Sequence, residues 1–303
     1  MKNIEDVNIL VIGDIMLDEY IVGEVERISP EAPVPIVKVK NRYSSLGGAG
    51  NVVRNIRQLG AKVTCIASIG ADKYGSIIQH NLLNLGVDQR LIIKDNITTK
   101  KTRIIADRSV QLLRVDEEDW DSVDSDKVNL SGDFDIVIIS DYYKGMITPK
   151  LLEKVKDETQ AKIIIDPKPR NGITKWYSDV FMITPNKQEL FQTNKSITEL
   201  LNSIEYVLVT QGKDGMELFS KDSMYNIEGE TVNVYNVSGC GDTVISMVSV
   251  CISMGLDVLD SAKIANSCAA YIATQPGTSV VPIKVFNDVI KENSWSIYKV
   301  CLK

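Results

Sequence analysis

Residues 236–242 read Asn-Val-Ser-Gly-Cys-Gly-Asp and run straight into an apolar stretch, so a turn of small residues delivers a carboxylate, Asp242, to the start of a helix. Helix starts carry unpaired main-chain N–H groups and a partial positive charge, and Gly239 and Gly241 have no Cβ to hold an anion away. A carboxylate repels phosphate. Beside such an anion site Asp242 makes chemical sense as a base that takes the proton of an attacking hydroxyl during phosphoryl transfer. A helix dipole also favours an acid in the first turn with no chemistry involved, and the motif alone leaves both readings open. A second glycine cluster, Gly47-Gly48-Ala49-Gly50-Asn51, opens another helical pattern and would let a ligand reach main chain. Neither cluster forms G-x-G-x-x-G or G-x-x-x-x-G-K-[ST], so a bound nucleotide is held in some other way. His80 is the only histidine and lies in a polar helical segment, which leaves acid–base work to carboxylates and excludes a multi-histidine metal centre.

The elements that must position these groups alternate. Strand-like apolar runs at 7–12, 63–69, 136–140, 162–166, 180–184 and 206–210 are separated by helical patterns at 48–59, 74–85 and 148–157. This predicts a parallel α/β sheet with crossover helices, whose ligands sit beyond the carboxyl ends of the strands. The residues there are Asp14, Asp141, Asp166, Asn186 and Gly212. Two stretches break the alternation. Residues 20–40, with Pro30, Pro33 and Pro35 among β-formers, and residues 91–115, with a turn near Asp107, predict a small β-sheet that could close over the crevice as a lid. Ordinary edge strands of the main sheet are the alternative. Past Gly212, short antiparallel strands are expected at 216–219, 223–228 and 231–235, then helices at about 241–255 and 258–274.

With 303 residues and no linker composition, the chain predicts one large domain over 1–303 with the β lid as an appendage. A net charge of -6 and the lack of basic runs argue against nucleic-acid or membrane-surface binding, so an anionic substrate must meet locally placed cations. The five cysteines are odd in number and form no C-x-x-C pair, which points to a reducing, cytoplasmic setting. The run from Val7 to Ile12 lacks a cleavage-site pattern, and that from Thr243 to Leu256 is too short to span a bilayer.

Gly13-Asp14, Gly47-Gly48 with Asn51, Thr184-Pro185-Asn186 with Glu189, and Gly239-Cys240-Gly241-Asp242 occur in the order found in the ribokinase (PfkB) superfamily, which the chain resembles over nearly its whole length. Arg27-Ile28-Ser29-Pro30-Glu31-Ala32-Pro33-Val34-Pro35 and Ser140-Asp141-Tyr142-Tyr143-Lys144-Gly145 are similar to the kinase domain of the heptose 7-phosphate kinases of lipopolysaccharide-precursor synthesis. The resemblance implies a three-layer α/β/α sandwich with a mostly parallel central sheet and a β lid. It also implies phosphorylation of the anomeric hydroxyl of D-glycero-β-D-manno-heptose 7-phosphate by ATP and Mg²⁺, in a homodimer joined through the lid.

On this resemblance Asp242 is the base and the amides of Gly239, Cys240 and Gly241 hold the moving phosphoryl group. Asn186 and Glu189 position phosphates and hydrated Mg²⁺, although the pair also reads as a helix cap with its N3 acid. Asp14, Gly47, Gly48 and Asn51 match sugar-contacting positions, with Asp141 at the next strand end. Lys101, Arg103, Arg108, Arg114 and Lys144 are candidates for the distal phosphate, each of them otherwise a solvated surface charge. Thr210, Gly212 and Gly215 match the nucleotide-side loop, with Asp166 and Lys168 nearby and Asn266 toward the adenine.

Departures from the family pattern also imply something. Asn236 replaces the usual Asp, which weakens any monovalent-cation site and puts potassium activation in doubt. Cys240 replaces Ala, either as a thiol that ionises readily at a helix start or as a small space-filler. The segment from Glu189 to Val207 is about a helix shorter than in relatives, and the chain stops where the kinase domain ends, without the nucleotidyltransferase domain fused to it in many of them. A same-fold kinase for another sugar or sugar phosphate, or a catalytically silent sugar or nucleotide binder, is the alternative function.

Overall fold

The computed structural model describes residues 2–106, 110–169 and 177–298. The chain opens with β1 (Asn8–Gly13) and a hairpin of two long strands, β2 (Ile15–Ile28) and β3 (Pro35–Gly48), which runs into α1 (Ala49–Gln58). There follow β4 (Lys62–Gly70), α2 (Lys73–Asn84), β5 (Asp88–Lys94), β6 (Lys100–Ala106) and β7 (Val110–Glu117). Next come β8 (Ile136–Ser140), α3 (Pro149–Glu158), β9 (Lys162–Asp166), β10 (Val180–Ile183) and the short helices α4 (Lys187–Gln192) and α5 (Ile197–Leu200). The last part holds β11 (Ile204–Thr210), the hairpin β12 (Gly215–Phe219) and β13 (Met224–Glu228), then α6 (Cys240–Ser253), α7 (Val258–Ala273) and α8 (Ile283–Tyr298).

Nine strands form the main sheet in the order β13-β12-β11-β10-β9-β8-β1-β4-β5. It is parallel from β11 to β5, and β12 and β13 extend it antiparallel. All five residues of β8 are buried because both faces of the sheet are covered, which is why the run is apolar throughout rather than alternating. Alternate β1 side chains divide between the two covers. Ile9 and Val11 pack with α1, α2, α6, α7 and α8, whereas Leu10 and Ile12 pack with α3 and α5. The result is a three-layer α/β/α arrangement. Ala262, Ala265 and Cys268 are buried where α7 lies against α6, the close approach expected of small residues.

A second, four-stranded sheet has the order β3-β2-β6-β7. Pro30 and Pro33 lie in the hairpin turn and Pro35 starts β3, where the absence of an N–H costs no ladder bond. The expected limits of this sheet need correction. Residues 91–94 belong to β5, the parallel edge of the main sheet. Residues 231–235 form no strand, because the N–H groups of Tyr235 and Asn236 both donate to Ala273 O at the end of α7 (2.7 and 3.1 Å). Between Glu189 and Val207 the chain makes only the end of α4 and the single turn of α5 before β11. His80 is exposed on α2, and no helix among the described residues is long and apolar enough to cross a membrane.

Candidate active site

The helix start at α6 is built by Gly239, which caps it with φ +84, a conformation that strains residues bearing a Cβ. A Cβ there would also lie 2.8 Å from Asn51 Nδ2. That nitrogen donates to Asp242 Oδ2 (2.9 Å), so the glycine leaves room for the amide that orients the acid. Asp242 is buried at 4 % exposure. Its other oxygen, Oδ1, accepts from the Tyr142 hydroxyl at 2.7 Å. Burial pushes the carboxyl up to about 6, with Asp18 adding to the rise, while the bonds from Asn51 and Tyr142 and the charge of Lys101 restrain it. Gly241 has no atom within 4 Å of where a Cβ would stand, so its face of the helix start is open. The Cys240 N–H instead points to Val237 O at 3.3 Å.

Gly47 and Gly48 join β3 to α1. A Cβ on Gly47 would overlap the Asp18 carboxylate, and Gly48 has φ +58 with its α-carbon against the Asp14 carbonyl. They allow the second sheet to meet the main sheet at the crevice and bring Asn51, the third residue of α1, to Asp242.

The carboxylates of Asp14 and Asp141, expected to face a sugar, both accept hydrogen bonds from the protein. Asp14 accepts the main-chain N–H groups of Tyr142 (2.8 Å), Lys144 (3.0 Å) and Met146 (3.0 Å), so its carboxylate holds the loop after β8. Asp141 accepts from the Tyr177 hydroxyl (2.6 Å) and the Tyr143 N–H (2.7 Å), and burial and nearby Asp14 push it up to about 7. Both are engaged with the protein because a loop at a strand end must satisfy its buried amides.

The cations expected at the distal phosphate are distributed unevenly. Arg103 is ion-paired with buried Asp18 and lies over the Tyr20 ring, Arg114 pairs with Asp116, and Lys144 pairs with Glu118 at 2.6 Å. Among the described residues Lys101 has no carboxylate partner. Its Nζ is 5.5 Å from the Tyr142 ring centroid, and burial lowers its affinity for the proton, with Asp18 opposing. Arg108 lies outside the described residues. In-register neighbours place Asp18, Tyr20, Tyr43, Lys101, Arg103 and Arg114 on one face of the second sheet. The Tyr20 hydroxyl meets Thr278 Oγ1 at 2.7 Å, so this is the face turned to the body of the protein. Toward the far end of that face a cavity of about 910 Å³ lies between the sheet and the Tyr235–Ser238 and Pro276–Gly277 segments.

On the other side of the α6 start is a cavity of about 430 Å³, lined by Thr210, Gly212, Gly215, Asn266 and largely apolar side chains including Val234, Val237 and Val244. Gly241 and Cys240 form its edge. Gly215 (φ +93) packs so closely on the Ile227 carbonyl that no Cβ fits, and Asn266 Nδ2 donates to Glu228 O (2.9 Å), tying α7 to the end of β13. The Cys240 thiol is pushed up to about 11 by burial and by Asp242, so it is a space-filler rather than a readily ionised group. Asn186 and Glu189 form the capping box of α4, in which Glu189 Oε2 accepts the Asn186 N–H at 3.0 Å. Glu189 Oε1 accepts from Lys168 Nζ at 2.9 Å. Asp166 is raised well above the ordinary carboxylate range, first by burial and then by Glu189 and Asp242. These two acids are close enough to oppose each other's charge, the setting in which a hydrated Mg²⁺ is held by one or two carboxylates and phosphates rather than by a closed protein cage. Asn236 accepts from Ser238 N (2.9 Å) and donates to Gly277 O (3.3 Å).

Sequence reasoning missed Asp18, Arg54 and Tyr142. Asp18 interrupts an apolar stretch of β2 four residues after Asp14, and that interruption was the available signal. Arg54 donates to Asn51 Oδ1 (3.3 Å) and Thr278 O (3.0 Å), one helical turn after Asn51. Tyr142 follows Asp141 at a strand end, but its reach to Asp242 crosses 100 residues.

The model of the pfkB family carbohydrate kinases matches residues 7–284. The chain is 38% identical over 300 residues to the bifunctional protein HldE of Desulfatibacillum aliphaticivorans, covering 90% of this chain and 61% of that protein. It therefore spans about three fifths of the length of such bifunctional relatives. It is 35% identical over 305 residues to a D-beta-D-heptose 7-phosphate kinase of Bordetella bronchiseptica, covering 92% of this chain and 95% of that protein. Phosphofructokinase-2 of Escherichia coli, solved in complex with potassium, superposes with a TM-score of 0.79 at 16% identity over 95% of this chain and 99% of that one. A ribokinase from Thermotoga maritima gives 0.71 at 17% identity over 94% and 99%. The fold is ribokinase-like.

Proposed function

The chain belongs to the pfkB family of carbohydrate kinases, and we propose that it transfers the γ-phosphoryl group of ATP to the anomeric hydroxyl of D-glycero-β-D-manno-heptose 7-phosphate, giving the 1,7-bisphosphate. The observation that carries the reading is the position of Asp242, buried at a helix start between the 430 Å³ cavity and the crevice under the second sheet. The nucleotide occupies that cavity, with the adenine near Asn266 and the phosphates running past Thr210, Gly212 and Gly215 toward Gly241. Gly239 and Gly241 offer main-chain N–H groups to the phosphoryl group, whose charge spreads over its oxygens in a loose transition state. Cys240 contributes its N–H once the long bond to Val237 gives way. The sugar lies over Gly47 and Gly48 and hydrogen-bonds Asn51. As the anomeric oxygen forms its bond to phosphorus and the bond to ADP breaks, its proton passes to Asp242.

Glu189, with Asp166 and Asn186 beside it and Lys168 supporting it, would hold hydrated Mg²⁺, which when bound would offset negative charge on the phosphates. Lys101 is the first anchor for the distal phosphate because it has no ion pair to give up among the described residues, and Arg103, Arg114 and Lys144 share its side of the crevice. The substrate assignment is supported by the similarity to the Bordetella kinase. Free Cys65, Cys240, Cys251 and Cys268 and the need for ATP support cytoplasmic work in lipopolysaccharide-precursor synthesis. On the outer face of the second sheet Ile21, Ile104, Leu113 and Val115 share one side, and Leu113 and Val115 are exposed, which supports a homodimer through the lid. Replacing Asp242 by Asn tests the reading: turnover of heptose 7-phosphate should fall by about three orders of magnitude or more, while binding of a non-hydrolysable ATP analogue survives. Near-normal turnover would remove Asp242 from its role.

A further inference from the structure

The loop after β8 is anchored through four of its main-chain N–H groups without any help from the Tyr142 side chain. Asp14 takes the N–H groups of residues 142, 144 and 146, Asp141 takes that of Tyr143, and Tyr177 secures Asp141. The Tyr142 ring nevertheless lies over Gly48, where a Cβ would stand 3.5 Å from Cδ2, and its hydroxyl reaches Asp242 Oδ1 at 2.7 Å. Burial and the Asp242 charge raise this phenol well above its ordinary range, so it stays protonated and can only donate to the acid.

Resting on the reading of Asp242 as base, we propose that Tyr142 is a positioning residue for phosphoryl transfer, its phenol fixing the Asp242 carboxylate so that a lone pair of Oδ1 remains aimed at the incoming alcohol. Asn51 Nδ2 fixes the other oxygen from α1. With one donor on each oxygen the carboxylate cannot rotate, and a rigid base keeps the acceptor oxygen in a near-attack position. Both bonds favour the ionised acid, the form that can accept a proton. The other charged or titratable groups around it are Asp18 from β2, Lys101 from β6, Arg54 from α1, Asp166 at the end of β9 and Cys240 on its own helix. None of these is hydrogen-bonded to Asp242 among the described contacts.

The test is the pH dependence of kcat for Tyr142→Phe, measured at saturating ATP and Mg²⁺ with the sugar phosphate the unsubstituted protein turns over fastest. Losing a donor to a carboxylate should move the acid limb up by about one pH unit. It should also lower kcat at the plateau roughly tenfold while KM for ATP stays put. Site-specific 3,5-difluorotyrosine at 142 keeps the shape but donates more strongly, so its limb should move down instead; this variant decides the matter if the Phe protein does not fold. An acid limb that stays at the wild-type position in a folded variant overturns the proposal and leaves the Asp242 assignment standing. Failure of the unsubstituted protein to use heptose 7-phosphate would instead overturn the substrate assignment alone.

Discussion

A carboxylate in water is a poor base near neutral pH because it holds a proton weakly, and Asp242 is changed by being taken out of water. With the acid pushed up to about 6, the proton-accepting form is lost as pH falls through that value. The rate should therefore halve near pH 6 and drop about tenfold per unit below it, which a kcat–pH profile checks. The distal phosphate makes a second demand at this scale. Lys101→Met should raise KM for the sugar phosphate about 10- to 100-fold, the worth of a charge-assisted bond, and leave KM for ATP within about twofold. The glycine–cysteine–glycine–aspartate turn was legible in the sequence because its chemistry is local. Tyr142 was not, because its partner lies on another element and no spacing records that. Asp14 and Asp141 were legible as strand-end acids, but sequence could not show that main-chain amides of residues 142–146 engage their oxygens.

Among the elements, the parallel strands were read with boundaries within about two residues because continuous apolar runs between helical patterns have few other interpretations. The helix α8 and the full reach of β2 and β3 beyond 20–40 went unread, and the two misassigned stretches have a common cause. Residues 91–94 and 231–235 are both β-prone, and which neighbour receives their hydrogen bonds is decided in space: β4 for the first, the end of α7 for the second. The hairpin of β12 and β13 turns at residues 220–223, and Gly215, at its other end opposite Glu228, lines the 430 Å³ cavity. Gly215→Ala should cost about 1–3 kcal/mol from backbone conformation alone. The crowding against Ile227 O adds to this, and calorimetry should show the melting temperature lowered by several degrees, with weaker ATP-analogue binding.

At the level of the whole molecule, the sandwich sets Asp242 at the meeting point of two compartments, and the second sheet supplies the roof and the cations of one of them. The appended sheet was foreseen from its prolines, yet its four-strand order and its two faces depend on pairing that only the structure shows. If its outer face joins two copies, sedimentation of the wild-type protein should give a dimer, and Leu113→Glu with Val115→Glu should give a monomer. Asn236 brings a neutral amide, donating to Gly277 O at 3.3 Å, where a carboxylate would attract a monovalent cation, so exchanging potassium for a bulky organic cation should leave the rate unchanged. The most direct test of the central claim is a phosphorus NMR spectrum of ATP, Mg²⁺ and heptose 7-phosphate incubated with the wild-type protein and, separately, with Asp242→Asn. The account predicts a new phosphate signal split by the anomeric proton with the wild type and none on the same timescale with the variant. An equal signal from both proteins, or phosphate appearing on another carbon, would contradict it.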